Sequence, residues 1–283
     1  MISFFVEKSV TEDNNFSEIK PFRRQIFKWV GSKQFYAHEI AGRFGTYTGK
    51  YIEPFVGSGS IVSTLAPSFA LASDTNLPLI SIFRSLLRNK ATIVKHYKEN
   101  YLLYCLDRDH YYLVRDRYNK SGDPLDLLFL SRACYGGIVR FRKSDGHMTT
   151  PPGKHSLMSF DDLDEICDEW RARLVGTHFD LADYRESFHE AKRGNLIYCD
   201  PPYIASQGIL YGSHEFKFED LLVEIEKAKW RDVRVFLSID SLDKHPSIKS
   251  NASGIWRIEI GTERLNRLRS RKTTKRVEYL VRF

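Results

Sequence analysis

The chain alternates short apolar runs of strand character with segments whose apolar residues recur at helical spacing. Strands are predicted at residues 51–54, 70–73, 177–181, 195–199 and 234–239. Helices are predicted at residues 33–44, 60–66, 78–90, 184–190 and 220–230. Strands that alternate with helices favour a mainly parallel sheet covered on both faces, which is the α/β class. Two further strands, at 255–260 and 277–281, predict an antiparallel hairpin at the C-terminal end of the chain.

The pattern changes between residues 91 and 174, where helical segments surround an irregular centre. Glycine and proline interrupt that centre at Gly136-Gly137, Asp145-Gly146 and Pro151-Pro152-Gly153. Clusters of this kind mark turns and loops. We therefore expect an inserted, mainly helical domain at 91–174, with the α/β domain formed by residues 20–90 and 175–283.

The composition is that of an ordinary globular protein, with 42% hydrophobic and 28% charged residues in a chain of 283. The apolar runs are far too short to span a bilayer, and residues 1–10 lack a signal-peptide pattern. The expectation is a cytoplasmic protein without membrane contact. The four cysteines include no Cys-x-x-Cys pair, so we expect reduced thiols and no zinc site.

The net charge of +7 is concentrated in two segments. Residues 132–154 hold five Lys or Arg against one Asp, and residues 255–283 hold nine Lys or Arg against three Glu. The rest of the chain is slightly acidic. Two basic patches on an otherwise slightly acidic protein predict a polyanionic partner. Binding of nucleic acid is favoured over the alternative that the patches are only solvated surface.

One predicted strand runs directly into a glycine turn, in the sequence YIEPFVGSGS at 51–60. Glycines in such a turn let the backbone approach a ligand closely. Asp74 ends the next strand, where a carboxylate can accept hydrogen bonds from a ribose. Upstream, Trp29 offers an aromatic face to a cation, and Lys33 can pair with a carboxylate. These residues are candidates for binding a nucleotide-like ligand.

The strand at 195–199 ends in Asp200-Pro201-Pro202-Tyr203, at the position where open α/β sheets bind ligands. Consecutive prolines fix the backbone and leave carbonyl acceptors. The exocyclic amine of a nucleobase is a poor nucleophile, and the Asp200 carboxylate and Pro201 carbonyl suit the task of accepting its two N–H groups. Tyr203 can stack on a base swung out of a duplex. The structural alternative is a proline-rich turn that caps the strand.

The order of these motifs resembles that of the Dam-type (D12, α-group) DNA adenine-N6 methyltransferases. That family has four features in a fixed order along the chain: a Lys-Trp-x-Gly-x-Lys segment, a Pro-Phe-x-Gly-x-Gly turn, an inserted target-recognition domain and Asp-Pro-Pro-Tyr. This sequence presents them at 28–33, 54–59, 91–174 and 200–203. The resemblance implies a Rossmann-like methyltransferase sheet and S-adenosylmethionine as cofactor.

The resemblance also implies roles for individual residues. The catalytic candidates are Asp200, Pro201, Pro202 and Tyr203. The cofactor-binding candidates are Trp29, Lys33, Glu53, Pro54, Phe55, Gly57, Gly59, Asp74, Asp183 and Asp200. The sequence RACYGGIVR at 132–140 is similar to the family's Arg-x-x-(Phe/Tyr)-Asn-Gly-x-x-Arg, with Gly136 in place of Asn. The DNA-binding candidates are Arg132, Tyr135, Arg140, Arg142, Lys143, Arg267, Arg269 and Arg271.

The implied function is sequence-specific transfer of a methyl group to N6 of a flipped adenine in double-stranded DNA, by direct in-line attack. A restriction-modification system, with a cognate endonuclease encoded nearby, is the implied setting, in a prokaryote or phage and with the enzyme as a monomer or weak dimer. No metal is expected, because a sulfonium is already an activated leaving group. The alternatives are DNA cytosine-N4 methylation and a DNA-binding regulator with a vestigial cofactor site. Ile239, where the family usually has Asn, departs only from a supporting motif.

Overall fold

The computed structural model describes residues 18–202, 216–243, 245–260 and 276–283, and these form a seven-stranded sheet. The strands are β1 Tyr51–Glu53, β2 Ala70–Asp74, β3 Thr177–Leu181, β4 Leu196–Cys199, β5 Arg234–Ile239, β6 Gly254–Ile260 and β7 Arg276–Arg282. Their order across the sheet is β3-β2-β1-β4-β5-β7-β6. Strands β1 to β5 run parallel, and β7 runs antiparallel to both β5 and β6. The predicted mainly parallel sheet with a C-terminal antiparallel hairpin is confirmed.

The direction in which the sheet grows reverses between β1 and β4. The chain builds outward from β1 to β2 and, after the inserted segment, to β3, and it then returns to β4 on the other side of β1. Open α/β sheets bind ligands outside the carboxyl ends of their strands at such a switch point. The glycine turn follows β1 and Asp200 follows β4, so the two predicted halves of the site meet at this edge.

Ten α-helices and one short 3-10 turn, Tyr135–Gly137, lie within the described ranges. The helices are α1 Ala37–Gly42, α2 Ser60–Leu65, α3 Leu77–Arg88, α4 Lys90–Leu106, α5 His110–Ser121, α6 Pro124–Ala133, α7 Phe160–Arg173, α8 Tyr184–Glu190, α9 Phe218–Lys229 and α10 Pro246–Asn251. Local signals explain several helix starts. Asn76 caps α3 by accepting the Leu79 N–H at 3.2 Å, and Asp183 forms a capping box with Glu186 at the start of α8.

The first helix begins later than its pattern predicts. It starts at Ala37 rather than at residue 33, because the preceding residues form turns. The Ser32 N–H donates to the Trp29 carbonyl at 3.3 Å, and the Tyr36 N–H donates to the Lys33 carbonyl at 3.0 Å. Gly31 permits these turns with a φ of +82°. Lys33 therefore lies in a turn with its side chain buried in the protein.

The sheet separates two hydrophobic clusters. Strands β1, β2 and β4 are buried along their whole length, as expected for parallel strands covered on both faces. On one face, which α1 to α3 cover, the Phe44 ring centroid lies 5.6 Å from that of Tyr198 and 4.9 Å from that of Phe236. On the other face, α8, α9 and α10 cover Ile52 and Ile197.

Helices α4 to α7 and the irregular centre at 134–159 make up most of the predicted insert. The Trp170 ring of α7 packs 6.1 Å from the Phe83 ring of α3, so the insert joins the cluster on that face of the sheet. Within the irregular centre, Phe141 and Met148 form an isolated antiparallel bridge. The division of the chain at residues 91 and 174 into two domains stays a prediction. None of the helices in the described ranges is long and apolar enough to cross a bilayer.

Candidate active site

Asp74 and the glycine turn form one side of the candidate site, at the carboxyl edge of the sheet. The Gly57 N–H donates to Asp74 Oδ2 at 3.0 Å, and the Asn76 N–H donates to Oδ1 at 2.9 Å. Burial raises the pKa of Asp74 to about 6, while these backbone N–H groups oppose the rise. The carboxylate at the end of β2 is thereby held against the turn, where the sequence predicts a ribose contact.

The two glycines of the turn differ in what surrounds them. Both have left-handed backbones, with φ of +49° at Gly57 and +69° at Gly59. A Cβ on Gly59 would lie 2.9 Å from Phe83 Cζ and 3.1 Å from Trp170 Cζ3. A Cβ on Gly57 would have its closest contact with Trp29 Cδ1, at 3.8 Å. Gly59 therefore faces the protein's own aromatic side chains, and its contact with a cofactor stays a prediction.

Three serine hydroxyls join the N-terminal segment to the glycine turn, and sequence reasoning missed them. Ser32 Oγ lies 2.9 Å from Ser60 Oγ and accepts from Ser58 Oγ at 3.0 Å, and Ser58 and Ser60 are 2.7 Å apart. The Gln25 side-chain amide donates to Ser32 Oγ at 2.8 Å. A serine follows each of the glycines in Gly31-Ser32 and in GSGS at 57–60, and this was the available signal.

Trp29 lies between the glycine turn and the insert. Its side chain is buried, and its indole Nε1 has no hydrogen-bond partner among the described residues. Its ring centroid is 6.5 Å from that of Phe141 in the irregular centre. A buried donor without a partner needs an explanation, and a ligand that accepts its N–H is one.

Lys33 binds side chains of the protein itself. Its Nζ lies 2.8 Å from Asp200 Oδ2 and 3.4 Å from Glu278 Oε1, and it donates to the Gly31 carbonyl at 3.3 Å. The sequence predicts that Lys33 pairs with a carboxylate of the cofactor. In the structure its ammonium lies between two carboxylates of the chain, one after β4 and one in β7, and its contact with a cofactor stays a prediction. Glu278 was missed, although a single acidic residue in an otherwise apolar strand was a visible signal.

Glu53, at the end of β1, adds a third carboxyl group near Asp200. We call Lys33, Asp200, Glu278 and Glu53 together the buried wall. It is 2% exposed, and the Tyr51 hydroxyl donates to its Oε2 at 2.8 Å. Burial raises the pKa of Glu53 to about 8; the Tyr51 hydrogen bond opposes the rise and the nearby charge of Asp200 adds to it. Glu53 is therefore mostly protonated at neutral pH and adds little negative charge beside Asp200.

Asp200 leaves the end of β4 with its side chain 19% exposed, so one side of the carboxylate is covered and part remains accessible. Pro201 is buried and Pro202 is half-buried. The proline rings fix φ through this turn and remove backbone donors that would compete for the carboxylate. Tyr203, the fourth catalytic candidate, lies outside the described residues.

Aromatic rings line the region next to the predicted adenine contact. The Phe55 ring stacks on that of Tyr184 with centroids 5.3 Å apart, and the Phe216 ring meets Phe55 edge-on at 5.7 Å. Pro54 is buried beside Phe55. Asp183, predicted near the adenine of the cofactor, accepts the Arg185 N–H at 2.9 Å as the cap of α8.

The irregular centre presents four of the DNA-binding candidates on its surface. Tyr135 is 43% exposed, and Arg140 and Lys143 are exposed. The Arg142 side chain is 55% exposed and pairs with Asp145, to which its Nε donates at 2.9 Å. These side chains are accessible to a partner such as a phosphate backbone.

Arg132 differs from the other candidates because its side chain is mostly buried. Its guanidinium contacts Met158 Sδ, and burial lowers its pKa while Tyr97 beside it opposes that change. The Tyr97 hydroxyl in turn donates to the Met158 carbonyl at 2.8 Å. This side chain packs within the insert, and its contact with DNA stays a prediction. Arg267, Arg269 and Arg271 lie outside the described residues.

One group of metal-capable side chains is brought together away from this site, although the sequence suggested none. Ligand atoms of His96, Asp123 and Asp126 lie within 4.8 Å of one another. The buried Asp126 carboxylate, however, already accepts from Arg117 Nε at 2.7 Å and lies 2.8 Å from His96 Nε2. The group is therefore accounted for as a buried ion-pair network of the insert.

A family described as D12 class N6 adenine-specific DNA methyltransferase matches residues 29–253. The chain belongs to this family. It is 30% identical to the DNA N-6-adenine-methyltransferase of Escherichia phage P1, and the match covers 76% of this chain and 29% of the phage protein. It is 28% identical to the DNA adenine methylase of Serratia marcescens over 64% of this chain and 67% of the relative. The DNA adenine methylase of Vibrio cholerae O395 is 29% identical over 76% of this chain and 81% of the relative.

Membership of the D12 family agrees with the prediction from motif order. The family and its relatives indicate a DNA adenine-N6 methyltransferase, and they give cytosine-N4 methylation no support. They imply chemistry that depends on S-adenosylmethionine and DNA as the substrate class. The D12 match extends from Trp29 to beyond β5, and so includes the N-terminal segment, the glycine turn, the insert and Asp200.

Proposed function

We propose that this chain transfers the methyl group of S-adenosylmethionine to N6 of a flipped adenine in double-stranded DNA, with Asp200 as the principal catalytic residue. The observation that carries the proposal is the Asp200 carboxylate itself. It follows β4 at the switch point of the sheet, and Lys33 covers its Oδ2 while part of the side chain stays accessible.

The residues at the carboxyl edge fit S-adenosylmethionine. Asp74 would accept the ribose hydroxyls, and the aromatic pair Phe55 and Tyr184 suits the adenine ring. The indole N–H of Trp29, which has no partner among the described residues, and the room beside Gly57 would serve the methionyl part. When bound, the cofactor supplies an activated methyl group on a sulfonium.

Asp200 and Pro201 would act on the substrate amine. The nitrogen lone pair of an exocyclic amine is conjugated with the ring, and attack requires that nitrogen to become pyramidal. Acceptors fixed in advance stabilise the N–H groups as positive charge develops on the nitrogen. The Asp200 carboxylate and the Pro201 carbonyl provide two such acceptors on a rigid turn. We assign Tyr203 to stacking on the flipped base, as its aromatic side chain allows.

The irregular centre of the insert would bind the DNA. Tyr135, Arg140, Arg142 and Lys143 are exposed on one connected segment. Cations on such a segment neutralise phosphates without reading sequence, so they would position the duplex. The Phe141 ring, next to Arg140, has its centroid 6.5 Å from that of Trp29, which supports a DNA-binding segment next to the proposed cofactor site.

We further propose a prokaryotic or phage setting in which the enzyme works as a monomer or weak dimer in the cytoplasm and protects DNA from a cognate restriction endonuclease. The bacterial and phage sources of the relatives support the setting. An endonuclease gene next to the coding sequence is the expected finding, and a search of the genomic neighbourhood tests it.

The test of the proposed function is the product. Unmethylated plasmid DNA is incubated with S-adenosylmethionine and either the wild-type protein or Asp200→Ala, digested to nucleosides and analysed by mass spectrometry. We expect N6-methyladenine with the wild type and none above background with the variant. N4-methylcytosine, or no modified base with a folded wild type that binds cofactor, contradicts the proposal. Modification-sensitive sequencing of the same DNA identifies the recognition site.

A further inference from the structure

The ammonium of Lys33 is surrounded by acceptors from three separate parts of the chain. Asp200 Oδ2 lies at 2.8 Å, the Gly31 carbonyl at 3.3 Å and Glu278 Oε1 at 3.4 Å. An ammonium has three N–H donors, so each acceptor can take one of them. The Lys33 and Glu278 side chains are 3% and 5% exposed, so solvent cannot readily replace either partner.

Glu278 reaches this place because of the direction of β7. Asp200 follows the carboxyl end of a parallel strand, and β7 enters the sheet at that same edge because it runs antiparallel. Tyr279 pairs with Ile239, the last residue of β5, and Glu278 comes just before it. The antiparallel strand thus brings a carboxylate to the edge at which the parallel strands end.

Only one side of the Lys33 ammonium faces Asp200, and the other faces a second buried anion. Glu53, the remaining carboxyl of the wall, is mostly protonated at neutral pH because burial raises its pKa to about 8. The Asp200 and Glu278 carboxyl groups share this cation. A shared cation neutralises each partner less than an exclusive one does.

We propose that Glu278 is a positioning residue for methyl transfer. It anchors Lys33 against Asp200 Oδ2, which fixes the orientation in which the Asp200 carboxylate accepts an N–H of the substrate amine. It also draws part of the Lys33 charge to itself, so that Asp200 remains a strong acceptor. This inference rests on the proposed function, since it assigns a role within the same site.

The substitution Glu278→Gln tests the role because it preserves size and removes the charge. Transfer of radiolabelled methyl from S-adenosylmethionine to unmethylated plasmid DNA is measured in a single turnover at saturating cofactor and DNA, and cofactor affinity is measured by calorimetry. We expect the rate to fall roughly tenfold or more, as loss of a positioning contact does, while cofactor Kd changes less than about threefold. Glu259→Gln, which removes a half-exposed carboxylate from β6, is the control and is expected to keep the wild-type rate.

Two results would overturn the inference. One is a Glu278→Gln rate within about twofold of wild type; the other is a cofactor Kd that weakens in proportion to the rate, which would make Glu278 a binding residue. If the Gln variant does not fold, Glu278→Asp and Glu278→Ala are compared. The retained carboxylate should make the Asp variant faster, and equal rates contradict the role. A wild type that transfers no methyl contradicts the proposed function instead, so the two failures are distinguishable.

Discussion

The wall around Lys33 and the irregular centre of the insert both carry ion pairs, but they hold them in opposite ways. Lys33 is 3% exposed and lies between Asp200 and Glu278, whereas Arg142 is 55% exposed and pairs with Asp145 in water. A buried pair is costly to break because its partner stays buried, while an exposed pair contributes little. The buried wall is therefore suited to fix reacting groups, and the exposed segment to bind and release a long polyanion.

Removal of the buried Lys33 ammonium should lower the free energy of unfolding much more than removal of an exposed cation does. Lys33→Met removes the ammonium that pairs with the buried Glu278 and the partly buried Asp200, and we expect the free energy of unfolding to fall by about 3–5 kcal/mol. Urea unfolding measures it. The control is Lys227→Met on α9, where the cation is 61% exposed and pairs with Glu224, and the expected change is below about 1 kcal/mol. Equal losses would mean that burial does not distinguish the two sites.

Two glycines with the same backbone angle sharpen the comparison. Gly59 and Gly146 both have a φ of +69°, but a Cβ on Gly59 would meet Phe83 and Trp170, whereas no atom of the described residues lies within 4 Å of one on Gly146. Alanine at either position carries the left-handed cost of about 1–2 kcal/mol. We expect Gly59→Ala to lose a further 1–3 kcal/mol or so from overpacking. Urea unfolding of both variants gives the difference, and a difference near zero contradicts the packing role of Gly59.

The buried wall should also make stability depend on pH through Glu53. Its pKa of about 8 in the folded protein lies above the ordinary 4.5. The stabilising contribution is therefore complete below about pH 4.5 and is lost as the pH rises toward 8. Between about pH 5.5 and about pH 7.5, wild type should lose roughly 2 kcal/mol more unfolding free energy than Glu53→Gln. Parallel pH profiles of the two proteins in urea unfolding would contradict the assignment; the contribution of Asp74 is common to both.

Substitution in the exposed irregular centre should change DNA affinity and its salt dependence, with little change in the free energy of unfolding. Arg140→Ala removes an exposed cation, so binding to a duplex should weaken several-fold and the slope of log K against log salt should decrease by about 1. Fluorescence anisotropy between about 50 and 200 mM NaCl measures both. Lys227→Ala, on the far helix α9, should leave the slope unchanged. An unchanged slope in Arg140→Ala would remove this residue from the phosphate contacts.

Most of the fold and one half of the site follow from local sequence. Strand and helix periodicities place nearly all elements, because each has a buried face that fixes its pattern. The glycine turn and Asp200 are identifiable because their positions directly after strands put them at one edge of a parallel sheet. Such signals lie within a few residues of each other along the chain.

The remaining half of the site depends on contacts between distant segments. Lys33 and Glu278 are in contact although almost the whole chain separates them in sequence. The residues next to either one give no sign of this pairing. The same is true of Ser32 and Ser60, which come together only when the turn after β1 packs on the N-terminal segment. The contact of the Arg132 guanidinium with Met158 also depends on tertiary packing, and its motif gives no sign of it.

The most direct test of this account compares Asp200, which is partly buried, with the exposed Arg140 in the same reaction. Single-turnover methyl transfer to plasmid DNA is measured for Asp200→Asn and Arg140→Ala at saturating DNA and S-adenosylmethionine. We predict a loss of about 10²–10³ in rate for Asp200→Asn, which removes an acceptor in the transition state, and a rate close to wild type for Arg140→Ala once DNA is saturating. A near-wild-type rate for Asp200→Asn, or an equal loss in both variants, would contradict the assignment of chemistry to the buried wall.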